Sequence, residues 1–139
     1  MNNRPTNCAI VPLVLCALGL SGTSGCHAVF WRSDLDGALR EGTSKGKATL
    51  VYYWSPVNAD CLKMDSEVFQ NPDVLKTMSD MVPVRLASGI NRAWAESVGI
   101  GNVPAFAIYR SDGQLVRIRE GVLDEARFRG LIVNSRLSE

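Results

Sequence analysis

With 139 residues and a formal net charge of +1, the chain has the size of one small domain, and its 46% apolar content is ordinary for a globular protein. The near-neutral balance, without a basic run, argues against a nucleic-acid partner. Four cysteines, Cys8, Cys16, Cys26 and Cys61, fit neither a zinc-site spacing nor a disulfide framework.

The N-terminal stretch differs from the rest. MNNRPTN carries Arg4 and no acid, CAIVPLVLCALGL is an apolar run short for a membrane span, and SGTSGC supplies small residues. Charged start, apolar middle and small-residue exit are the layout of a secretory signal, expected over residues 1–25. Thr23, Ser24, Gly25 and Cys26 resemble the lipobox of bacterial lipoproteins, with Thr23 where that pattern usually has Leu. The resemblance implies cleavage before Cys26 and lipidation of that cysteine, so that the chain is exported to a periplasmic or cell-envelope face and anchored to a membrane. Ordinary secretion and an uncleaved anchor are the alternatives. On the lipoprotein reading, Cys8 and Cys16 leave with the signal, Cys26 carries lipid, and Cys61 is the one free thiol.

Residues 26–33 are expected to be a tether and 34–139 the folded domain. His27, the only histidine, falls in the tether and reads as solvated. Phe30 and Trp31 suit either a membrane surface or packing on the domain. SDLDGALREG predicts a short helix capped by Ser33 or Asp34 and ended by Gly42. ATLVYYW predicts a buried strand. After the SPVN turn, Cys61, Met64, Val68 and Phe69 are spaced as one helical face. Asn71 and Pro72 restart a helix. MVPVRLA predicts a strand, NRAWAESVG a helix capped by Asn91 and stopped by Gly99, and PAFAIY another strand. RSDGQ and QLVRIRE complete a hairpin whose arginines discourage edge aggregation. Phe128, Leu131, Ile132 and Ser135 mark a closing amphipathic helix. Helix-separated strands predict parallel crossovers and the hairpin an antiparallel pair, giving a mixed sheet of about four strands with helices on both faces.

Four segments, LVYYWSPVNADC, CLKMDSEVFQNPDVL, VGIGNVPAFAIYRSDG and the closing helix, resemble the thioredoxin superfamily, in particular its short exported members. The resemblance runs from Leu50 to the C-terminus and implies a three-layer α/β/α sandwich of the α/β class. It also implies a cis bond between Val103 and Pro104, in a substrate-facing loop with Asn102, and a substrate-facing Trp54. Counted forward from Trp54 or backward from Met64, Val68 and Phe69, the family's cysteine pair falls at positions 58 and 61. Asn58 therefore stands where the first cysteine would be, and Val57 where a second tryptophan would be. Cys61 holds the place of the second, resolving cysteine. Tyr52 stands where many thioredoxins have a buried acid that moves protons.

The first cysteine of such a pair attacks the substrate disulfide, and an amide cannot replace it. Asparagine is instead a good helix cap. The leading reading is thus a membrane-tethered thioredoxin-fold module with a degenerate site, binding a protein or extended peptide by strand addition at the Asn102–Pro104 loop. One alternative is thiol-disulfide exchange or redox sensing through Cys61 alone, its only candidate catalytic residue. Another is soft-metal binding, such as copper, by Cys61 and Met64, one turn apart. Two ligands are too few for a metal site, and no cofactor is implied.

Overall fold

The computed structural model describes residues 28–136. The expected signal segment, Cys26 and His27 lie outside the described residues.

Residues 28–33 lead into helix α1, Leu35–Lys45. Asp34 is its cap, accepting from Gly37 N–H at 3.0 Å. The helix does not end at Gly42 but at Gly46, whose φ of 63° is the left-handed conformation that glycine adopts without a Cβ penalty. Gly42 answers a different constraint. A Cβ there would lie 2.7 Å from Lys47 O and 2.8 Å from Thr49 Oγ1, so glycine lets the helix approach the chain entering the first strand.

Strand β1, Thr49–Trp54, is central. Its residues alternate between two cores: Leu50 and Tyr52 face one, Val51 and Tyr53 the other. Helix α2, Ala59–Lys63, continues into a π-helical turn, Met64–Val68, closed by Phe69 N–H on Met64 O at 3.0 Å. That wide turn places Cys61, Met64, Val68 and Phe69 all in the interior. Helix α3, Pro72–Met78, starts at Asn71, which accepts from the amides of Asp73 and Val74. Strand β2, Val82–Ala87, is followed by helix α4, Arg92–Ser97. Here Asn91 makes no side-chain cap; its amide instead donates to Ala87 O at 2.9 Å. Strands β3, Ala105–Tyr109, and β4, Leu115–Glu120, form the hairpin, and helix α5, Glu125–Arg136, closes the described chain.

The strand order is β2-β1-β3-β4. β1 and β2 are parallel across the α2–α3 crossover. β3 does not continue that parallel series: it runs antiparallel to β1, on the side away from β2. The helix α4 connection therefore carries the chain across the sheet, rather than to the neighbouring position on the same edge. Phe128 and Ile132 of α5 join Leu50, Tyr52, Phe106 and Ile108 on one face; Ala38 of α1 and Ala95 of α4 cover the other. The result is the α/β/α sandwich with a mixed four-stranded sheet.

The end of the expected tether belongs to the folded unit. Arg32 bridges to Val84 in parallel fashion, with Arg32 N–H on Pro83 O at 2.9 Å and Arg85 N–H on Arg32 O at 2.8 Å. Trp31 packs edge-on against Phe69, ring centroids 5.2 Å apart, while Phe30 stays 79% exposed. Arg32 grips Glu41 of α1 through Nε at 3.0 Å and a second nitrogen at 2.7 Å. Hydrogen bonds from Arg32, then Lys45, hold the Glu41 carboxyl at a pKa of about 2 rather than 4.5. A depressed carboxylate pKa stabilises the fold above the unfolded value and loses that contribution as pH falls through the folded value. A Glu41→Gln variant is therefore expected to unfold at lower urea than wild type at neutral pH. The gap should close between about pH 4.5 and about pH 2, as followed by urea midpoints; a pH-independent gap would exclude the linkage.

Candidate functional site

The candidate site is built at the C-terminal end of β1, where the chain turns into α2. Ser55, Pro56 and Val57 form the turn, and Val57 is 89% exposed. Asn58 has extended backbone angles and caps α2: its Oδ1 accepts from Cys61 N–H at 3.0 Å. Asp and Asn side chains suit this place because their oxygen reaches the otherwise orphan amides of the first turn.

Cys61 is 0% exposed and is a free thiol. Ser55 N–H donates to its Sγ at 3.4 Å, and Tyr52 Oη donates to its carbonyl oxygen at 3.2 Å. Met64, one turn further, is equally enclosed, so neither sulfur of the soft-metal reading belongs to an exposed residue. Lys63 faces outward and lies 4.0 Å from Glu67.

Tyr52 lies on the core side of β1, stacked on Phe106 at 5.3 Å between centroids and edge-on to Phe69 at 5.0 Å. Burial, above all, holds its phenol neutral far above the ordinary range, and the neighbouring Cys61 and Asp65 push the same way. At this position the chain has an aromatic core residue with a hydroxyl that serves the helix backbone.

The Val103–Pro104 bond is cis. Asn58, Asn102 and Val103 line one shallow groove with Tyr53 and Ser88, so the turn and the proline loop are neighbours. Pro104 is buried beside β3, and its carbonyl accepts from Gly121 N–H at 2.8 Å. The backbone N–H and C=O of Val103 make no hydrogen bond with another described residue. Trp54 is placed differently. It is half-buried, does not line that groove, and carries the Arg85 guanidinium 4.0 Å from its ring centroid.

Three participants were missed in reading the sequence. Arg85 of β2 is held by Trp54, Tyr52 and Trp31 rings and is paired with Asp65 of the π turn. A charge inside the apolar run MVPVRLA was the available signal. Glu120, at the end of β4, accepts from Gly101 N–H at 2.9 Å and from Asn102 Nδ2 at 3.1 Å. Those bonds lower its pKa, the Gly101 amide contributing most. Glu120 thus pins the loop that presents Val103, from 18 residues away along the chain, and nothing local in the sequence announced it.

The sequence profile of the thioredoxin-like domain family matches residues 35–135. The chain belongs to that family. Among solved structures, a thioredoxin from Thermus thermophilus superposes with a TM-score of 0.68 at 18% identity, covering 76% of this chain and 86% of that one. The C-terminal domain of Neisseria meningitidis DsbD, in its oxidised form, gives 0.65 at 17% identity, covering 76% and 99%. The DsbH oxidoreductase gives 0.68 at 11% identity, covering 89% and 96%. At these identities the likeness is one of fold. A search of curated protein sequences returned no match. Among the described residues, no helix is long and apolar enough to cross a membrane.

Proposed function

We propose that this chain is an exported, membrane-tethered thioredoxin-fold module that binds an extended segment of a partner protein and performs no dithiol exchange. The observation that carries the reading is at position 58. Asn58 Oδ1 caps the helix on Cys61 N–H at 3.0 Å, where dithiol chemistry needs a thiolate to attack. An amide forms no mixed disulfide, and Cys61, fully enclosed, has no route to a substrate sulfur without local opening. The binding surface is the groove between Asn58 and the Asn102–Val103 edge. There the unpaired backbone groups of Val103 suit pairing with an extended peptide. Glu120 holds that edge in place before a partner arrives, which lowers the ordering cost of binding.

The decisive measurement is Cys61 reactivity beside insulin-disulfide reduction. In the native protein, an alkylating reagent is expected to modify Cys61 only as fast as the surrounding helix opens, and far faster in denaturant. Insulin should not be reduced. Rapid native alkylation together with insulin reduction would replace this reading with single-cysteine redox chemistry. The tether rests on the Gly25–Cys26 pattern. Mass spectrometry of the cellular protein should find Cys26 as a lipidated first residue, and an unmodified Cys26 would rule out the lipid anchor.

A further inference from the structure

β4 is an edge strand, with β3 on one side and no strand on the other among the described residues. The phase of its hydrogen bonds follows from one contact. Gly121 N–H donates to Pro104 O at 2.8 Å, so in the β3–β4 register the pairs Phe106–Arg119 and Ile108–Arg117 are the hydrogen-bonded ones. Arg117 and Arg119 therefore turn their backbone groups toward β3. Ile118 and Glu120 aim theirs at the open edge.

The side chains on this strand are asymmetric. Arg117 and Arg119 line a groove with Leu123, Arg127, Gly130 and Leu131, along the seam between β4 and α5. A Cβ at Gly130 would meet nothing within 4 Å, so the groove is open there. No carboxylate lines it. Arg127 has Asp124 at 3.5 Å, whereas the guanidinium groups of Arg117 and Arg119 have neither ion pair nor hydrogen bond with a described residue. Glu120 is already committed to Gly101 and Asn102. The edge thus offers backbone groups beside unneutralised positive charge. A second copy of β4 is a poor occupant, because its own two arginines would meet these. Opposite charges across paired strands are favourable and like charges unfavourable.

We propose that the outer edge of β4 binds an extended acidic segment by strand addition, its alternate carboxylates reaching Arg117, Arg119 and Arg127. A bound strand would exchange hydrogen bonds with Ile118 and Glu120. Its side chains on the α5 side would be acidic, because successive residues of a strand point to opposite faces. This surface lies on the opposite edge of β3 from β1, and its occupancy does not depend on position 58.

The test uses the full chain and a fluorescein-labelled synthetic peptide of about eight residues alternating Glu and Val, long enough to match one strand. Fluorescence polarisation should show binding that weakens with salt, and a Lys–Val peptide should not bind. The double variant Arg117→Gln, Arg119→Gln should bind roughly tenfold more weakly or worse, from the loss of two charge-assisted contacts. Two N-methylated peptides separate strand addition from charge attraction without relying on any variant folding. Methylation of alternate amides in one register should abolish binding, and in the other register leave it intact. The amide resonances of Ile118 and Glu120 should shift. Equal binding to the double variant, or to both methylated peptides, would overturn the proposal. So would shifts confined to Gly101–Val103, or binding of phosphatidylserine vesicles with none of the peptide; the last would make the arginine face a membrane contact.

Discussion

Asn58→Cys is expected to give the chain a disulfide it does not have and a measurable capacity to reduce insulin. The new thiol would sit at the start of α2, where Asn58 Oδ1 now accepts from Cys61 N–H. Amides and helix dipole at that place favour a thiolate. Cys61 follows one turn later, with its sulfur beside Ser55 N–H at 3.4 Å. The oxidised variant should be lighter by the mass of two thiol hydrogens and should lose its reaction with alkylating reagents. Its activity should stay well below that of a thioredoxin. Tyr52, whose phenol is kept neutral by burial, supplies no carboxylate to move the proton of Cys61. In the reduced form the variant should also lose about 1 kcal/mol of stability, the usual value of an asparagine cap. Wild type reducing insulin at a rate like the variant's would sink the non-catalytic reading. A folded variant that forms no bond to Cys61 would mean that positions 58 and 61 are not the family's cysteine pair.

The second large effect is at Tyr52. Replacement by alanine is expected to cost about 3–5 kcal/mol, the range for removing a buried aromatic ring. The ring is 0% exposed, stacked on Phe106, edge-on to Phe69, 5.7 Å from Trp31, and beneath the Arg85 guanidinium at 5.2 Å. A cavity there would loosen the aromatic cluster and leave Arg85 with fewer partners. Tyr52→Phe keeps the ring and loses only the bond from Oη to Cys61 O, so it should cost about 1 kcal/mol. Urea unfolding of the two variants separates the packing role from the hydroxyl. If alanine costs no more than phenylalanine, Tyr52 is not the centre of this core.

Arg85 and Asp65 connect these two expectations. Arg85 rises from β2, Asp65 hangs from the π turn, and Trp54 ends β1. The pair ties the helix that carries Cys61 to the sheet below it. The Arg85 guanidinium sits over Trp54, 4.0 Å from its ring centroid, and covers that side of the ring. Asn102 and Val103 line the groove of the proposed binding surface, and Trp54 lies outside it.

Much of this was legible one residue at a time. The continuous apolar, β-branched and aromatic run ATLVYYW predicted a buried strand, and Asn71–Pro72 predicted the start of α3, because strand composition and helix capping are local properties of the chain. The resemblance carried by the spacing from Trp54 to Phe69 implied a cysteine pair at positions 58 and 61, and the resemblance of NVPAF implied the cis bond that the structure has. Contacts between distant segments were decided by the tertiary structure. Gly42 looked like a helix stop, but it is the point where α1 meets the entry to β1. β3 lies antiparallel to β1 because strand neighbours are chosen by which faces must be covered, and local period says nothing of that choice. Arg85 had many carboxylates and rings available along the chain, and only packing selected Asp65 and Trp54. Glu120 reached the Asn102 loop because the β3–β4 register set the two ends side by side. Sequence carries the pattern of an element in its own neighbours. The partner of a charge or a strand edge is chosen among alternatives of similar local energy, and only the fold, by bringing one of them within hydrogen-bond distance, makes that choice.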